Sequence, residues 1–164
     1  MHKFFISAGD PSGDIHAARL INRLKNKIGN VEFIGLGGKK CEQEGLKTLV
    51  PLKDISVVGF WEVAKKYTFF LRLMNQCKEI LSSGGIDAFI PVDYPGFNIP
   101  LAGYAKKESV PVIYYIAPQL WAWGRNRAQK LSGSVDLLMT VLPFEKEYFS
   151  DFGLNTTFTG HPLL

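Results

Sequence analysis

The sequence predicts an α/β fold, a doubly wound parallel sheet with helices on both faces. Two observations carry this prediction. Short runs that are apolar throughout alternate along the chain with segments of helical spacing, and strands buried on both faces between helices are typical of parallel sheets. The chain also has 164 residues, of which 46% are hydrophobic, so a single domain can bury a sizeable core without disulfides.

The elements can be placed in order along the chain. The first predicted strand, 4–6, leads into a loop and a helix whose apolar residues recur every three or four positions up to 28. Further strands are predicted at 31–36, 88–92, 110–116, 135–141 and 156–159, with helical patterns near 98–108, 125–132 and 144–152. Pro91 cannot donate to a sheet ladder, so we expect it near the carboxyl end of its strand or beside an irregular neighbour.

Composition and residue spacing limit the compartment, the membrane topology and the chemistry expected of this chain. The chain has two cysteines and no CxxC pair, which favours a reduced cytosolic compartment. No run of 18 uncharged apolar residues is present, so no membrane span is expected. The net charge of +4 is scattered in pairs and permits an anionic partner without naming one. Because no His, Cys, Asp or Glu set has metal-ligand spacing, metal catalysis is not expected.

The loop after the first predicted strand, GDPSGD at 9–14, lies where ligands bind in open α/β sheets. Its glycines allow backbone N–H groups to approach a ligand, and the following helix N-terminus favours an anion. The spacing matches neither the dinucleotide motif GxGxxG nor the NTPase motif GxxxxGK[ST]. The alternative is structural, with Ser12 or Asp14 capping the helix.

A second loop, VDYPGFN at 92–98, follows an apolar strand and precedes a helix. Asp93 at the carboxyl end of the strand is well placed to act as a general base on a hydroxyl. Asn98 is placed either to cap the helix or to hydrogen-bond a sugar hydroxyl. The structural alternative is an Asx turn followed by a proline.

A third loop combines two tryptophans with two arginines in QLWAWGRNR at 119–127. Arginine forks bind phosphate or carboxylate, and indole faces suit sugar rings or acyl chains. The alternative is a tryptophan pair that fills a gap between domains.

Apolar residues between 60 and 81 form two helical stripes. One stripe, which includes Tyr67, Met74 and Cys77, is expected to be buried. The other contains Trp61, Phe69 and Leu73 and is fringed by cations, as in helices that lie on membrane surfaces. The alternative is a helix buried on two sides with snorkelling lysines.

Together these motifs resemble one family, the lipid-A-disaccharide synthases. The resemblance rests on six segments in the family's order, which span the chain. They are SAGDPSGD at 7–14, Gly59 with Glu62-Val63, DxPxFN at 93–98, YIAPQLWAW at 115–123, LPFE at 142–145 and GHP at 160–162. The chain departs from the family pattern at Asp10, Ala117 and Gly124.

The resemblance implies a two-domain Rossmann-like glycosyltransferase of the GT-B type. Residues 1–164 would be its amino-terminal, acceptor-side domain, and the nucleotide-sugar domain would lie outside this chain. The family joins UDP-2,3-diacylglucosamine to 2,3-diacylglucosamine 1-phosphate, giving the β-1′,6-linked lipid A disaccharide and UDP. We expect a cytoplasmic enzyme peripheral to the inner membrane of a Gram-negative bacterium, with no cofactor and no nucleic-acid partner. A homodimer is left open, and the half alone is expected to be inactive.

The resemblance also implies roles for single residues. Asp93 matches the position expected to take the proton from the acceptor's 6-hydroxyl. Asn98 would orient hydroxyls, and Arg125 or Arg127 would clamp a phosphate. The remaining expected substrate contacts are Asp10, Ser12, Gly13 and Trp121, and the residues expected to face the membrane are Trp61, Phe69 and Leu73.

Two rival interpretations remain open from the sequence. A nonhydrolytic sugar-nucleotide epimerase would share the sheet but need no lipid-facing aromatic stripe, so liposome flotation would separate the two enzymes. A non-catalytic basic α/β module that binds RNA or DNA would show retention that falls steeply with salt.

Overall fold

The computed structural model describes residues 1–56, 66–123 and 125–160, and for 122, 123 and 125 the description covers the backbone alone. Within these ranges one parallel sheet has the strand order β3-β2-β1-β4-β5-β6-β7. The strands are β1 (His2–Ala8), β2 (Val31–Leu36), β3 (Leu46–Thr48), β4 (Ala88–Val92), β5 (Ile113–Tyr115), β6 (Leu137–Thr140) and β7 (Thr156–Phe158). This order reverses direction beside β1, which is the doubly wound arrangement predicted from the sequence.

In the described residues, each connection between consecutive strands contains one or two helices. They are α1 (Pro11–Ile28), α2 (Lys39–Gln43), α3 (Leu52–Ile55), α4 (Tyr67–Ser82), α5 (Pro95–Lys107), α6 (Leu120–Trp123), α7 (Arg125–Ser132) and α8 (Pro143–Ser150). In the described part of the chain, no helix is both long and apolar enough to cross a membrane.

The core lies on both faces of the sheet because successive side chains of a strand point to opposite sides. One face holds Phe5 and Phe89, whose rings meet edge to face with centroids 5.6 Å apart. The other face holds Ile6 and Ile90, packed with residues of α1 such as Ile21. All five residues are at most 4% exposed, which confirms the predicted doubly covered sheet.

Pro91 lies where the β4–β5 ladder is interrupted. The N–H of Phe89 donates to the carbonyl of Pro111 at 2.8 Å, and the N–H of Asp93 donates to that of Tyr115 at 3.2 Å. Pro91, between these two, has no N–H to offer β5. The expectation of a position near the end of the strand, beside an irregular neighbour, is confirmed.

The predicted membrane-facing stripe on α4 is wrong at Leu73. This side chain is 3% exposed and lies in the core with Cys77 and Leu81, and Phe69 is partly buried against the same core. Steps of four residues place this stripe on one helix face, and that face belongs to the core cluster that also contains Phe5 and Phe89. The exposed apolar side chains of α4 are instead Tyr67 and Leu71. Trp61 lies outside the described residues.

Candidate functional site

The loops after β1 and β4 touch each other at the carboxyl edge of the sheet. The Tyr94 ring lies so close to Gly9 that a Cβ there would be 2.3 Å from the ring's Cδ1 atom. Any side chain at position 9 would therefore displace the ring. The contact brings the two predicted site loops, GDPSGD and VDYPGFN, into one place, because their strands are neighbours in the sheet.

Asp93 borders a cavity of about 280 Å³ that also contacts the loop after β5. The other lining residues are Pro95, Gln119, Leu120 and Arg127. The sequence placed Asp93 and Arg127 in one site, and the structure brings them to one cavity. The Arg125 side chain lies outside what the structure describes.

Burial raises the pKa of the Asp93 carboxyl to about 6. The negative charges of Asp10 and Glu145 raise this pKa further, and a hydrogen bond from the N–H of Tyr94 opposes the shift. A carboxylate with a pKa near neutrality is suited to accept a proton at physiological pH. The site therefore contains a partly buried carboxyl that shares a cavity with Arg127.

The main chain at Asp93 is left-handed, with φ of 45°, and the next residue, Tyr94, has φ of 50°. Such angles are uncommon outside glycine, although aspartate tolerates them better than most residues. The Asp93 carbonyl accepts two side-chain hydrogen bonds, from Tyr114 Oη at 2.7 Å and from Asn98 Nδ2 at 2.8 Å. These bonds hold the turn in its left-handed shape.

The expected contact between Asn98 and a substrate hydroxyl is contradicted by its environment. The side chain is fully buried. Its Oδ1 accepts from Ser7 Oγ at 2.6 Å, and its Nδ2 donates to the carbonyls of Ser7 and Asp93. Because both ends of the amide already bond to groups inside the protein, Asn98 is not available to a substrate. It connects β1 to the turn after β4.

Asp10, Ser12 and Gly13 form the start of α1. The carboxylate of Asp10 accepts from the Gly13 N–H and from the Ser12 hydroxyl, each at 2.7 Å. Asp10 is thus the N-cap of α1, whereas the sequence analysis named Ser12 or Asp14 as the capping residue. The loop lies at the same edge of the sheet as Asp93, because β1 and β4 are neighbours. The ligand-binding role of this loop stays a prediction.

Asp14 has a separate structural task that the sequence did not indicate. It is 5% exposed, and its carboxylate accepts from the N–H groups of Gly38 at 2.8 Å, Cys41 at 3.0 Å and Lys40 at 3.2 Å. These are donors at the start of α2, which α2 itself cannot satisfy. Asp14 therefore joins α1 to the connection that follows β2.

Trp121 stands at the rim of the site, 39% exposed. Its ring meets Phe144 edge to face at 5.1 Å, and its Nε1 donates to Glu145 Oε1 at 3.3 Å. Glu145 is buried, and its Oε2 accepts from the N–H groups of Val141 and Leu142 at the start of α8. Glu145 entered the sequence analysis only as part of a family motif, because its partners come from two different loops.

An apolar groove of about 390 Å³ opens beside the Asp93 turn. It is lined by exposed and half-buried residues of α4 and by the start of α5, namely Tyr67, Phe70, Leu71, Met74, Tyr94, Gly96 and Phe97. Tyr94 belongs both to this groove and to the contact with Gly9. A cavity that contains charged side chains and an apolar groove therefore border the same turn, an arrangement suited to a ligand with a polar head and an apolar tail.

Comparison with known proteins identifies similar chains. The model of a family described as lipid-A-disaccharide synthetase matches residues 4–164. A lipid-A-disaccharide synthase of Syntrophus aciditrophicus is 40% identical over 159 residues, which are 97% of this chain and 42% of that protein. One of Persephonella marina is 40% identical over 167 residues, 100% of this chain and 43% of that protein. The chain thus spans about two fifths of the length of these curated relatives.

Proposed function

The chain belongs to the lipid-A-disaccharide synthase family, and we propose that it supplies the amino-terminal, acceptor-side half of an inverting GT-B glycosyltransferase. The whole enzyme would transfer 2,3-diacylglucosamine from its UDP derivative to 2,3-diacylglucosamine 1-phosphate. The donor's nucleotide would be bound by the remaining part of the longer protein. Residues 1–164 by themselves would therefore have no transferase activity.

In this proposal the acceptor's 6-hydroxyl oxygen attacks the anomeric carbon of the donor. The bond between that carbon and the UDP oxygen breaks, and its electron pair leaves with UDP. The proton of the attacking hydroxyl passes to the Asp93 carboxylate. A positioned general base is worth about 10²–10⁴ in rate. The observation that carries the proposal is Asp93 itself, a carboxyl with pKa of about 6 at the edge of a cavity.

Arg127 would bind a phosphate of the substrates at the other side of this cavity. A guanidinium offers paired donors that match phosphate oxygens, and Arg127 lines the cavity with Asp93. The exposed Ser12 at the start of α1 would add a hydroxyl contact. The N–H of Gly13 already donates to the Asp10 carboxylate, so Gly13 leaves the set of expected substrate contacts. Trp121 would present an indole face to a sugar ring at the rim.

The apolar groove would receive acyl chains and place the enzyme on the cytoplasmic surface of the inner membrane of a Gram-negative bacterium. In this proposal the side chains that face the membrane are Tyr67 and Leu71, which are 61% and 46% exposed. They take the place of Phe69 and Leu73, the residues expected from the sequence. Flotation with anionic phospholipid vesicles tests it. Leu71→Glu should reduce vesicle binding, whereas Ile28→Glu, at an exposed position of α1, should not. Equal binding of both variants would remove the groove from the proposal.

The transfer itself is tested in a full-length chimaera in which this chain replaces the matching 42% of the Syntrophus aciditrophicus relative. Disaccharide and UDP are quantified after mixing both substrates. Asp93→Asn should lower kcat at least tenfold with an unchanged circular dichroism spectrum. Asp151→Asn is the matched control, because Asp151 is exposed at the end of α8. Turnover of the Asp93→Asn protein at the unsubstituted rate would refute the assignment of the base.

A further inference from the structure

The Asp93 turn is held by two side-chain hydrogen bonds to one main-chain carbonyl. Its carbonyl accepts from Tyr114, which belongs to β5, and from Asn98, which belongs to α5. Both donors reach the same oxygen from different elements. The two bonds act on the residue whose side chain borders the cavity.

This turn is costly without those bonds. A non-glycine residue with φ in the left-handed region is conformationally strained and persists where its surroundings hold it there. Asp93 and Tyr94 adopt such angles one after the other. A relaxed turn would redirect the bond from Cα to Cβ at Asp93 and thereby move the carboxylate away from its place at the cavity.

Both donors are themselves fixed. Tyr114 is fully buried, and burial together with the nearby Asp93 charge raises the pKa of its phenol well above the ordinary value, so the hydroxyl keeps its proton and donates. The Asn98 amide can have only one orientation. The carbonyls of Ser7 and Asp93 can only accept, so the Asn98 Nδ2 must face them and Oδ1 must face the Ser7 hydroxyl.

We infer that Tyr114 and Asn98 are positioning residues that act through the main-chain carbonyl of Asp93 to aim its carboxylate into the cavity. The inference rests on the proposed role of Asp93 as the base. Neither side chain is exposed, so neither touches substrate. Their contribution is geometric, and displacement of a reacting group by about 1 Å can cost 10²-fold in rate.

The experiment compares two substitutions that each remove one buried phenolic hydroxyl. Tyr114→Phe deletes a donor to Asp93. Tyr148→Phe is the control, because the Tyr148 hydroxyl is buried and has no hydrogen-bond partner among the described residues. In the full-length chimaera, Tyr114→Phe should lower kcat about tenfold with KM within twofold, whereas Tyr148→Phe should leave both constants unchanged. Asn98→Asp, which keeps the acceptor for Ser7 but loses the donor, should also lower kcat.

A second measurement uses the chain alone and does not depend on activity. Carbon NMR of the labelled Asp93 carboxyl gives its titration directly. In Tyr114→Phe the relaxed turn should expose the carboxyl to water and lower its pKa below that of the unsubstituted chain. An unchanged titration together with unchanged kcat would overturn the inference.

A double-mutant cycle separates this inference from the proposed function. If Tyr114 acts through Asp93, Tyr114→Phe should cause no further loss of kcat in an Asp93→Asn background. The same loss in both backgrounds would assign Tyr114 a general structural role and overturn the inference. If Asp93→Asn costs tenfold while Tyr114→Phe costs nothing, the inference alone fails. If Asp93→Asn leaves kcat unchanged, both the proposed function and this inference fail.

Discussion

Ser7 and Asn98 are joined by a reciprocal pair of hydrogen bonds across 91 positions of the chain. The hydroxyl of Ser7 donates to Asn98 Oδ1 at 2.6 Å, and Asn98 Nδ2 donates to the Ser7 carbonyl at 3.1 Å. Both side chains are fully buried. The pair links the end of β1 to the first turns of α5, and Asn98 continues from there to Asp93. The spacing between the two site loops is therefore set inside the core.

Ser7→Ala should destabilise the fold. The substitution leaves the Asn98 oxygen buried without its partner, which costs about 1–3 kcal/mol. Urea unfolding measures the change in the free energy of unfolding. Ser82→Ala is the control, because Ser82 is exposed near the end of α4, and it should change this free energy by less than about 0.5 kcal/mol. A smaller loss in the free energy of unfolding for Ser7→Ala than for Ser82→Ala would contradict the stabilising role of the buried hydrogen bond.

Asp93→Asn should make the chain more stable at neutral pH while removing the proposed base. Burial raises the Asp93 pKa in the folded chain to about 6, against an ordinary value of 3.8. The folded state then binds more protons than the unfolded state between these values, so stability falls as pH rises through this window. The full destabilisation by the carboxylate is present above about pH 6, and its upper limit is about 3 kcal/mol.

Urea unfolding of both proteins from pH 3 to pH 8 tests whether the free energy of unfolding changes with pH in this direction. The advantage of Asp93→Asn over the unsubstituted chain should be smallest below pH 4, grow through the window and stay constant above it. An advantage that decreases with rising pH would show that the carboxylate is stabilised by folding rather than desolvated.

Asp10→Asn should lower the pKa of Asp93. The charge of Asp10 is one cause of the raised value, and asparagine caps helices about as well as aspartate, so the loop should keep its shape. Carbon NMR of the Asp93 carboxyl measures the shift. Asp151→Asn removes an equal charge at an exposed site and should leave the titration of Asp93 unchanged. Equal shifts in the two variants would indicate a general charge effect instead of a local one.

Asp14→Asn should weaken the junction between α1 and α2. Oδ1 of Asp14 accepts from two N–H groups and Oδ2 from a third. An amide has only one oxygen, so its NH₂ group must face at least one of these donors. We expect a loss of about 1–3 kcal/mol in the free energy of unfolding, measured by urea titration. Glu79→Gln, an exposed change on α4, provides the baseline, and a loss no larger than this baseline would contradict the capping role.

The sequence predicted the central strands well and the short elements poorly. The intervals 31–36 and 88–92 match β2 and β4 residue for residue. β4 is a continuous apolar run, a strong signal for a strand buried on both faces, and β2 carries one charged residue, Glu32, in such a run. The three-residue strand β3 and the helices α2 and α3 were missed. These segments have too few positions to show a period, and pairing with β2 creates β3. The equally short strands β5 and β7 lie within the predicted intervals 110–116 and 156–159.

The sequence located the candidate base but not what holds it. An acidic residue directly after a central strand must lie at the carboxyl edge of the sheet, so Asp93 could be found from local pattern. The role of Asn98 depends on Ser7, which only folding brings near.

The division of α4 into a buried and a membrane-facing stripe is confirmed at Cys77, which is buried, and wrong at Leu73, which is buried too, and at Tyr67, which is exposed. Both stripes are apolar, and which of them becomes buried depends on the surface that α4 meets.

Glu145→Gln should release Trp121 while preserving the start of α8. One oxygen of Glu145 accepts from the N–H groups of Val141 and Leu142, and the other accepts from Trp121 Nε1. A glutamine oxygen can keep the two backbone bonds, which leaves its NH₂ group facing the indole N–H, a second donor. The indole should then lose its tether and move more freely at the rim of the site. The measurement is acrylamide quenching of fluorescence in a chain whose other tryptophans are replaced by phenylalanine.

The matched control for this prediction is Glu147→Gln, an exposed change on the same helix, which should leave quenching unaltered. A released indole should be quenched more strongly, because collisions with acrylamide require exposure of the ring. Trp121 also packs edge to face on Phe144 at 5.1 Å, and this contact is independent of Glu145. If the ring contact alone fixes the indole, quenching will be the same in both variants, and the buried carboxylate will have no part in shaping the rim.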